Sequence, residues 1–112
     1  MIRVQNITDE AHQQHILLFE ESEIVLTLRY HPTIETWTFD IEYKGIVASG
    51  YKLSVGVAHM QSRNLPFDFI VRDQAGLGLD PIYLNDFSTD RCALYMLEAA
   101  DMEELRGQPV PL

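Results

Sequence analysis

Ile24–Tyr30 reads IVLTLRY, Thr36–Tyr43 reads TWTFDIEY, and Val47–Val55 reads VASGYKLSV; the reading of this stretch decides the fold. Ile24, Leu26, Leu28 and Tyr30 alternate with Val25, Thr27 and Arg29. Trp37, Phe39, Ile41 and Tyr43 alternate with Thr38, Asp40 and Glu42. Successive side chains of a strand point to opposite faces, so each run carries an apolar face and a more polar one. The stretch predicts a β-meander with Trp37 in its core.

The pattern also selects a turn. A two-residue loop at Lys44-Gly45 pairs Trp37 with Lys52 and leaves Tyr51, Leu53 and Val55 on the polar face. A three-residue loop, Tyr43-Lys44-Gly45, places Gly45 in the left-handed position of a bulged turn and sets Trp37 across from Tyr51, with Leu53 and Val55 on the same face. A one-residue slip exchanges the faces of a strand, so the apolar pattern predicts the three-residue loop.

Outward from this centre, Ile16–Glu20 reads as an earlier strand, joined by a tight turn at Glu21-Ser22 to the strand Glu23–Tyr30. Pro32 cannot donate to a ladder, which makes residues 31–35 a loop. Beyond a connector at 56–66, with a helical turn expected at 57–60, Phe67–Arg72 alternates again: Phe67, Phe69 and Val71 face inward and Asp68 and Arg72 outward. Two glycines and the Pro81 that follows mark 73–80 as a loop or hairpin tip. Ile82–Leu84 suits a short strand. Arg91–Glu98 is apolar on both faces, as a central strand is. Ala100–Arg106 suits one short helix capped by Asp101, and 107–112 a loose tail. The expected architecture is all-β: an antiparallel β-sandwich or small barrel of six to seven short strands with a short C-terminal helical turn. The chain of 112 residues reads as a single β domain, with a polar N-terminal arm at 1–14, a β core at 15–98, and a helix and tail at 99–112.

Composition restricts the partners. Seventeen acidic and eight basic residues give a formal net charge of -9. Neutralising phosphates takes basic side chains, so the balance argues against nucleic acid and against an anionic membrane surface. It suits a basic protein surface. The single cysteine, Cys92, lies in an apolar run and reads as a small core residue. Residues 1–6 have no apolar stretch of the kind that opens a secretory leader, and synthesis in a reducing cytoplasm is expected.

No group of residues forms a catalytic constellation. His12 and His15 have the spacing of metal ligands on a helical turn, but their run is polar and has no third ligand. Asp73, Asp80, Asp86 and Asp90 are oxygen-rich, yet lack the alternate spacing of a calcium loop; turn chemistry accounts for them. Asp40 and Glu42 share a polar strand face rather than flanking a cleft. Ser49 and His59 lack a nucleophile-elbow context. Gly76-Leu77-Gly78 has no following lysine or helix that would make it a phosphate cradle. Met96 reads as core, and Met60 and Met102 as half-buried or partner-facing. No catalytic, cofactor-binding or metal residue is predicted, and no cofactor or small-molecule substrate.

With the strands laid out, one resemblance emerges. Trp37-Thr38-Phe39-Asp40-Ile41 is followed by a hairpin glycine, then by Gly50-Tyr51-Lys52-Leu53 and Gly56-Val57. Pro66-Phe67-Asp68-Phe69-Ile70-Val71-Arg72-Asp73, Asp80-Pro81 and Leu94-Tyr95-Met96-Leu97 complete the order. From Ile16 to Leu97 this resembles the small baseplate plug proteins of contractile-tailed phages, of the kind known from a cyanophage baseplate. The resemblance implies a non-enzymatic virion structural protein of the tail baseplate. It would help to plug or connect the central hub and tail tube, its partners being hub, tube and spike proteins and further copies of itself. It offers no catalytic residues. Residues 1–14 and 99–112 depart from the resembling pattern, as partner-binding extensions or unstructured ends. Residue chemistry alone leaves a different reading: an acidic inhibitor or immunity-type protein whose carboxylates mimic a phosphate backbone and block a host nucleic-acid enzyme.

Overall fold

The structure, a computed structural model, describes residues 1–60 and 65–107. Its strands are β1 (Ile2–Arg3), β2 (His12–Phe19), β3 (Ser22–His31), β4 (Thr36–Tyr43), β5 (Ile46–Lys52), β6 (Asp68–Asp73) and β7 (Cys92–Leu97), followed by helix α1 (Ala99–Gly107). They form two antiparallel sheets, β2-β3-β4-β5 and β1-β7-β6. Of the sandwich and the barrel that the strand pattern allows, the chain adopts the open two-sheet form.

The alternation read from sequence decides what lies between the sheets. Ile24, Leu26 and Leu28 of β3 and Trp37, Phe39, Ile41 and Tyr43 of β4 are buried. A chain of aromatic contacts crosses from one sheet to the other: Phe19 to Phe67 at 5.5 Å, Tyr43 to Phe67 at 5.0 Å, and Phe39 to Phe69 at 5.6 Å between ring centroids. Trp37 is fully buried between Tyr30 and Phe87, and its Nε1–H donates to the Tyr83 carbonyl at 3.0 Å. An indole needs such a partner when it is removed from water. β7 is the central strand of its sheet, with Ala93, Leu94, Met96 and Leu97 all buried.

The β4–β5 turn corrects the sequence expectation. Tyr43 pairs with Ile46 across a two-residue loop, with Lys44 at φ 48° and Gly45 at φ 78°. The face change that seemed to demand a longer loop occurs inside β5. Ile41 pairs with Ala48 and Phe39 with Tyr51, so Ser49 and Gly50 together oppose Asp40. Gly50 sits at φ 78° and its N–H donates to Asp40 Oδ1 at 2.8 Å. The bulge absorbs one residue, and both Ala48 before it and Leu53 after it face the core.

The N-terminal segment is not a free arm. Ile2 and Arg3 pair with Met96 and Tyr95, the Val4 N–H donates to the Leu94 carbonyl at 2.8 Å, and Val4 is buried. β2 begins at His12 rather than Ile16, because Gln13 anchors the preceding loop. Its side chain donates to the carbonyls of Thr8 (2.9 Å) and Glu10 (2.8 Å) and accepts from the Thr8 N–H. The next turn is Glu20-Glu21, one residue earlier than expected.

Ile82–Leu84 is not a strand. Asp86 Oδ2 captures the N–H groups of Ile82 (2.7 Å) and Tyr83 (2.8 Å), which closes a turn and removes them from any ladder. A turn at His59-Met60 stands where a helical turn was expected. In α1, Asp101 is not the N-cap; its carboxylate reaches back to the Glu98 N–H at 3.1 Å, so Glu98 holds the cap position. Residues 61–64 of the connector and the expected tail beyond 107 lie outside the described residues.

Candidate functional site

His59, Cys92 and the loop acids singled out for chemistry are accounted for by internal structure, and His12 by the surface. His12 and His15 lie on a strand, not a helix, and three residues along a strand reverses the face. His12 is exposed, while His15 points inward to Gln13 Oε1 at 2.8 Å, and burial lowers its pKa from the ordinary histidine value. His59 accepts from the Ser54 N–H at 2.9 Å through Nε2 and donates from Nδ1 to the Phe69 carbonyl at 2.9 Å. Both ring nitrogens are therefore engaged in tying loop 53–60 to β6, and Ser49 lies in the bulge of β5. Cys92 is fully buried, and burial pushes its thiol up to about 11, the setting of an inert cysteine. Met96 is core as expected; Met60 is also buried rather than partner-facing.

The acidic loop cluster is organised around Arg91. Its guanidinium donates from Nε and Nη2 to the two oxygens of Asp86, both at 2.9 Å, and to the carbonyls of Leu79 (3.0 Å) and Asp80 (2.7 Å); Asp73 Oδ1 lies 3.6 Å from Nη1. Asp73 also gathers the N–H groups of Ala75, Leu77 and Leu79. Burial pushes Asp86 upward, but the Arg91 hydrogen bonds and the Tyr83 and Ile82 amides outweigh it and hold the carboxyl below its ordinary value. Asp80 accepts from the Val55 N–H at 2.9 Å, and Asp90 pairs with Arg3. Among the described residues, no group of three or more acidic, histidine or cysteine side chains is placed to hold a metal.

Asp68 was read as facing outward but is fully buried. It accepts from the Met60 N–H at 3.0 Å and the Phe69 N–H at 2.7 Å. Burial is the largest influence on it and raises its pKa despite those bonds. Its position explains the buried Met60: the carboxylate draws the connector down over β6.

What remains for function is the surface. β2 presents Gln14, Ile16 and Leu18 outward, away from the core, with Ile16 61% and Leu18 72% exposed. Ile16 stands beside Val25, Val25 beside Glu42, and Glu42 beside Val47 in one row across the sheet. A shallow groove on this face is lined by Gln14, Val25, Thr27, Asp40, Glu42 and Val47. A separate group, Leu77, Leu79, Tyr83 and Leu84, is exposed on the loop organised by Arg91. Exposed apolar residues grouped in this way mark contact surfaces. The sequence signal for the first group was the unbroken apolar run Ile16–Phe19, which has no alternation from which to choose a face.

Residues 1–99 match the family model described as the cyanophage baseplate Pam3 plug gp18. No curated protein matches the chain. The match begins at residue 1, so the first fourteen residues belong to the family pattern, as the pairing of β1 with β7 accords with.

Proposed function

The chain belongs to this baseplate plug family and is thus a structural protein of the phage tail baseplate, and from that membership we propose that it helps to close or connect the central hub and the tail tube. The observation that carries the reading, beside the family, is where the chemistry goes. His59, Asp68, Asp73, Asp86 and Arg91 are all consumed in holding loops onto the two sheets. The outward face of β2–β5, by contrast, keeps large apolar side chains in water. A subunit built to be held among neighbours needs that combination of rigid core and unsatisfied surface. On this reading the chain acts without catalysis, as one β domain, and in contact with hub, tube or spike subunits.

The test is mass in solution, by light scattering on a sizing column, alone and mixed with the purified hub and tube proteins of the same virion. A discrete oligomer or a stoichiometric complex supports the proposal and gives its symmetry. A monomer indifferent to every one of them refutes it and restores the acidic-inhibitor reading, which a pull-down of a host nuclease or polymerase would then favour.

A further inference from the structure

Four strands form the edges of the two sheets, and three of them are blunted. β1 is two residues long. β5 is bent by the bulge at Gly50. β6 is covered: the Gly56 N–H donates to the Val71 carbonyl at 3.0 Å, His59 to the Phe69 carbonyl, and Val55 bridges Val71. Short strands, bulges and covering loops are the means by which folded proteins prevent edge-to-edge pairing. Among the described residues, β2 uses none of them. It is eight residues long, contains no proline, lysine or bulge, and pairs with β3 without interruption from His12 to Phe19. The Tyr30 N–H donates to the Ala11 carbonyl at 2.7 Å, which fixes the phase of the ladder. Odd-numbered residues of β2 bond to β3, and the N–H and C=O groups of His12, Gln14, Ile16 and Leu18 point away from the sheet.

The carboxylates around this edge outnumber the cations. β2 itself carries no lysine, arginine, aspartate or glutamate, its titratable residues being His12 and His15, and its hairpin ends in Glu20-Glu21 and continues into Glu23, all three glutamates exposed. Asp40 and Glu42 lie across the same outer face, and Arg29, the cross-strand neighbour of His12, is already paired with Asp40 at 3.3 Å. Glu20 and Glu21 occupy φ 48° and φ 67°, positions that favour Asn-Gly.

We propose that the β2 edge is a docking site for an extended segment of another baseplate subunit, a strand that places apolar side chains over Ile16 and Leu18 and lysine or arginine beside the Glu20–Glu23 hairpin. Strand addition supplies backbone hydrogen bonds to an open edge, and side chains supply the specificity. A second copy of this chain is the poorer occupant, since it would bring net charge -9 against -9. The proposal rests on the baseplate reading above.

The experiment mixes the full-length chain with the purified hub, tube and spike subunits of the same virion, one at a time, and follows binding and backbone hydrogen exchange. The expected result is a complex in which exchange at His12, Gln14, Ile16 and Leu18 slows at least tenfold. Leu18→Lys, which puts a cation on the exposed edge, and Glu20→Asn/Glu21→Gly each weaken binding at least tenfold while the variants melt no lower than the parent. A complex that leaves these amides unprotected and tolerates both variants overturns the edge proposal and leaves the baseplate reading standing. Failure to bind any of the subunits overturns both. Concentration-dependent protection of the same amides in the chain alone overturns the choice of a basic partner.

Discussion

Replacing Arg91 with alanine should destabilise the protein by about 3 kcal/mol. The side chain makes a two-pronged pair with Asp86 and two further bonds to the carbonyls of Leu79 and Asp80. Asp86 is 4% exposed and Arg91 19%. Removing one partner of a buried ion pair costs about 3–5 kcal/mol, because the remaining charge stays out of water without compensation. The lower end applies here, since the space left by Arg91 opens to solvent and the two freed carbonyls can be hydrated. Asp86 also keeps its two backbone donors. Unfolding entropy near 2.1 cal/mol/K per residue gives about 0.24 kcal/mol/K for a chain of this length, so the loss corresponds to a fall in Tm of about 13 °C.

Arg91→Lys separates charge from geometry. Lysine keeps the charge but cannot make the two-pronged pair, and should recover only about half of the loss. A double-mutant cycle with Asp86→Asn should give a coupling of about 2 kcal/mol. The pair also sets an acid limit. Asp86 has a folded-state pKa below its unfolded value, so its stabilisation is present above the unfolded pKa and is lost as pH falls through the folded one. In Arg91→Ala the acid-unfolding midpoint should therefore move to higher pH. An Arg91→Ala variant that melts within 3 °C of the parent, with coupling near zero, refutes the view that Arg91 organises loop 74–90.

Four further outcomes are expected. Trp37→Ala should cost about 3–5 kcal/mol, measured by urea unfolding, because it vacates a site enclosed by Tyr30 and Phe87. Gly50→Ala should cost about 1 kcal/mol even though nothing lies within 4 Å of the added Cβ, since φ 78° is costly for any side chain; an unchanged Tm contradicts the bulge. Glu20→Asn/Glu21→Gly should raise stability by about 1–2 kcal/mol by relieving two positive φ angles, as thermal melts would register. Asp68 has a raised folded-state pKa, so its stabilisation is full below its unfolded pKa and is lost as pH rises through the folded value. Thermal melts of the parent and of Asp68→Asn should therefore differ in pH dependence, with the Tm of the parent gaining on that of the variant as pH falls toward 4; parallel profiles contradict the buried carboxylate.

Legibility followed the strength of the alternation. β4 was readable to the residue, because Thr36–Tyr43 alternates without a break, and β3 to within one residue. β1 and the first half of β2 were not. Ile2 and Val4 make only one step of alternation before polar residues follow, and His12-Gln13-Gln14-His15 has no apolar period; Gln13 is buried through hydrogen bonds that hydropathy does not register. The β4–β5 face change was visible as a conflict between turn and pattern, but sequence could place the extra residue in the loop or in the strand, and Gly50 was the available sign that it lay in the strand. Asp68 was misplaced for the opposite reason: alternation assigned it to solvent, while the connector folds over it to use its carboxylate. The loop acids were rightly read as turn chemistry, but that Arg91 gathers them from as far back as Asp73 depends on a separation that no local pattern encodes.

Two of the described strands, β7 and β2, carry unbroken apolar runs of four residues or more, and these end differently. In β7 both faces are satisfied within the chain: Leu94 and Met96 enter the core between the sheets, while Ala93 and Leu97, on the reverse face, are also buried, with α1 packed against the strand. In β2 the run Ile16-Leu17-Leu18-Phe19 sends Leu17 and Phe19 to the core and leaves Ile16 and Leu18 in water. A continuous apolar run is the pattern of a strand covered on both sides, and folding of this chain covers only one. Burial of each such side chain is worth about 1.5–3 kcal/mol, so a partner that covers both has several kcal/mol available before any backbone bond along the open edge is counted. The other edges are blunted and this one is not, so in the same eight residues of the described fold an uncovered apolar face coincides with an open backbone edge, the combination that prepares a strand to accept a neighbour.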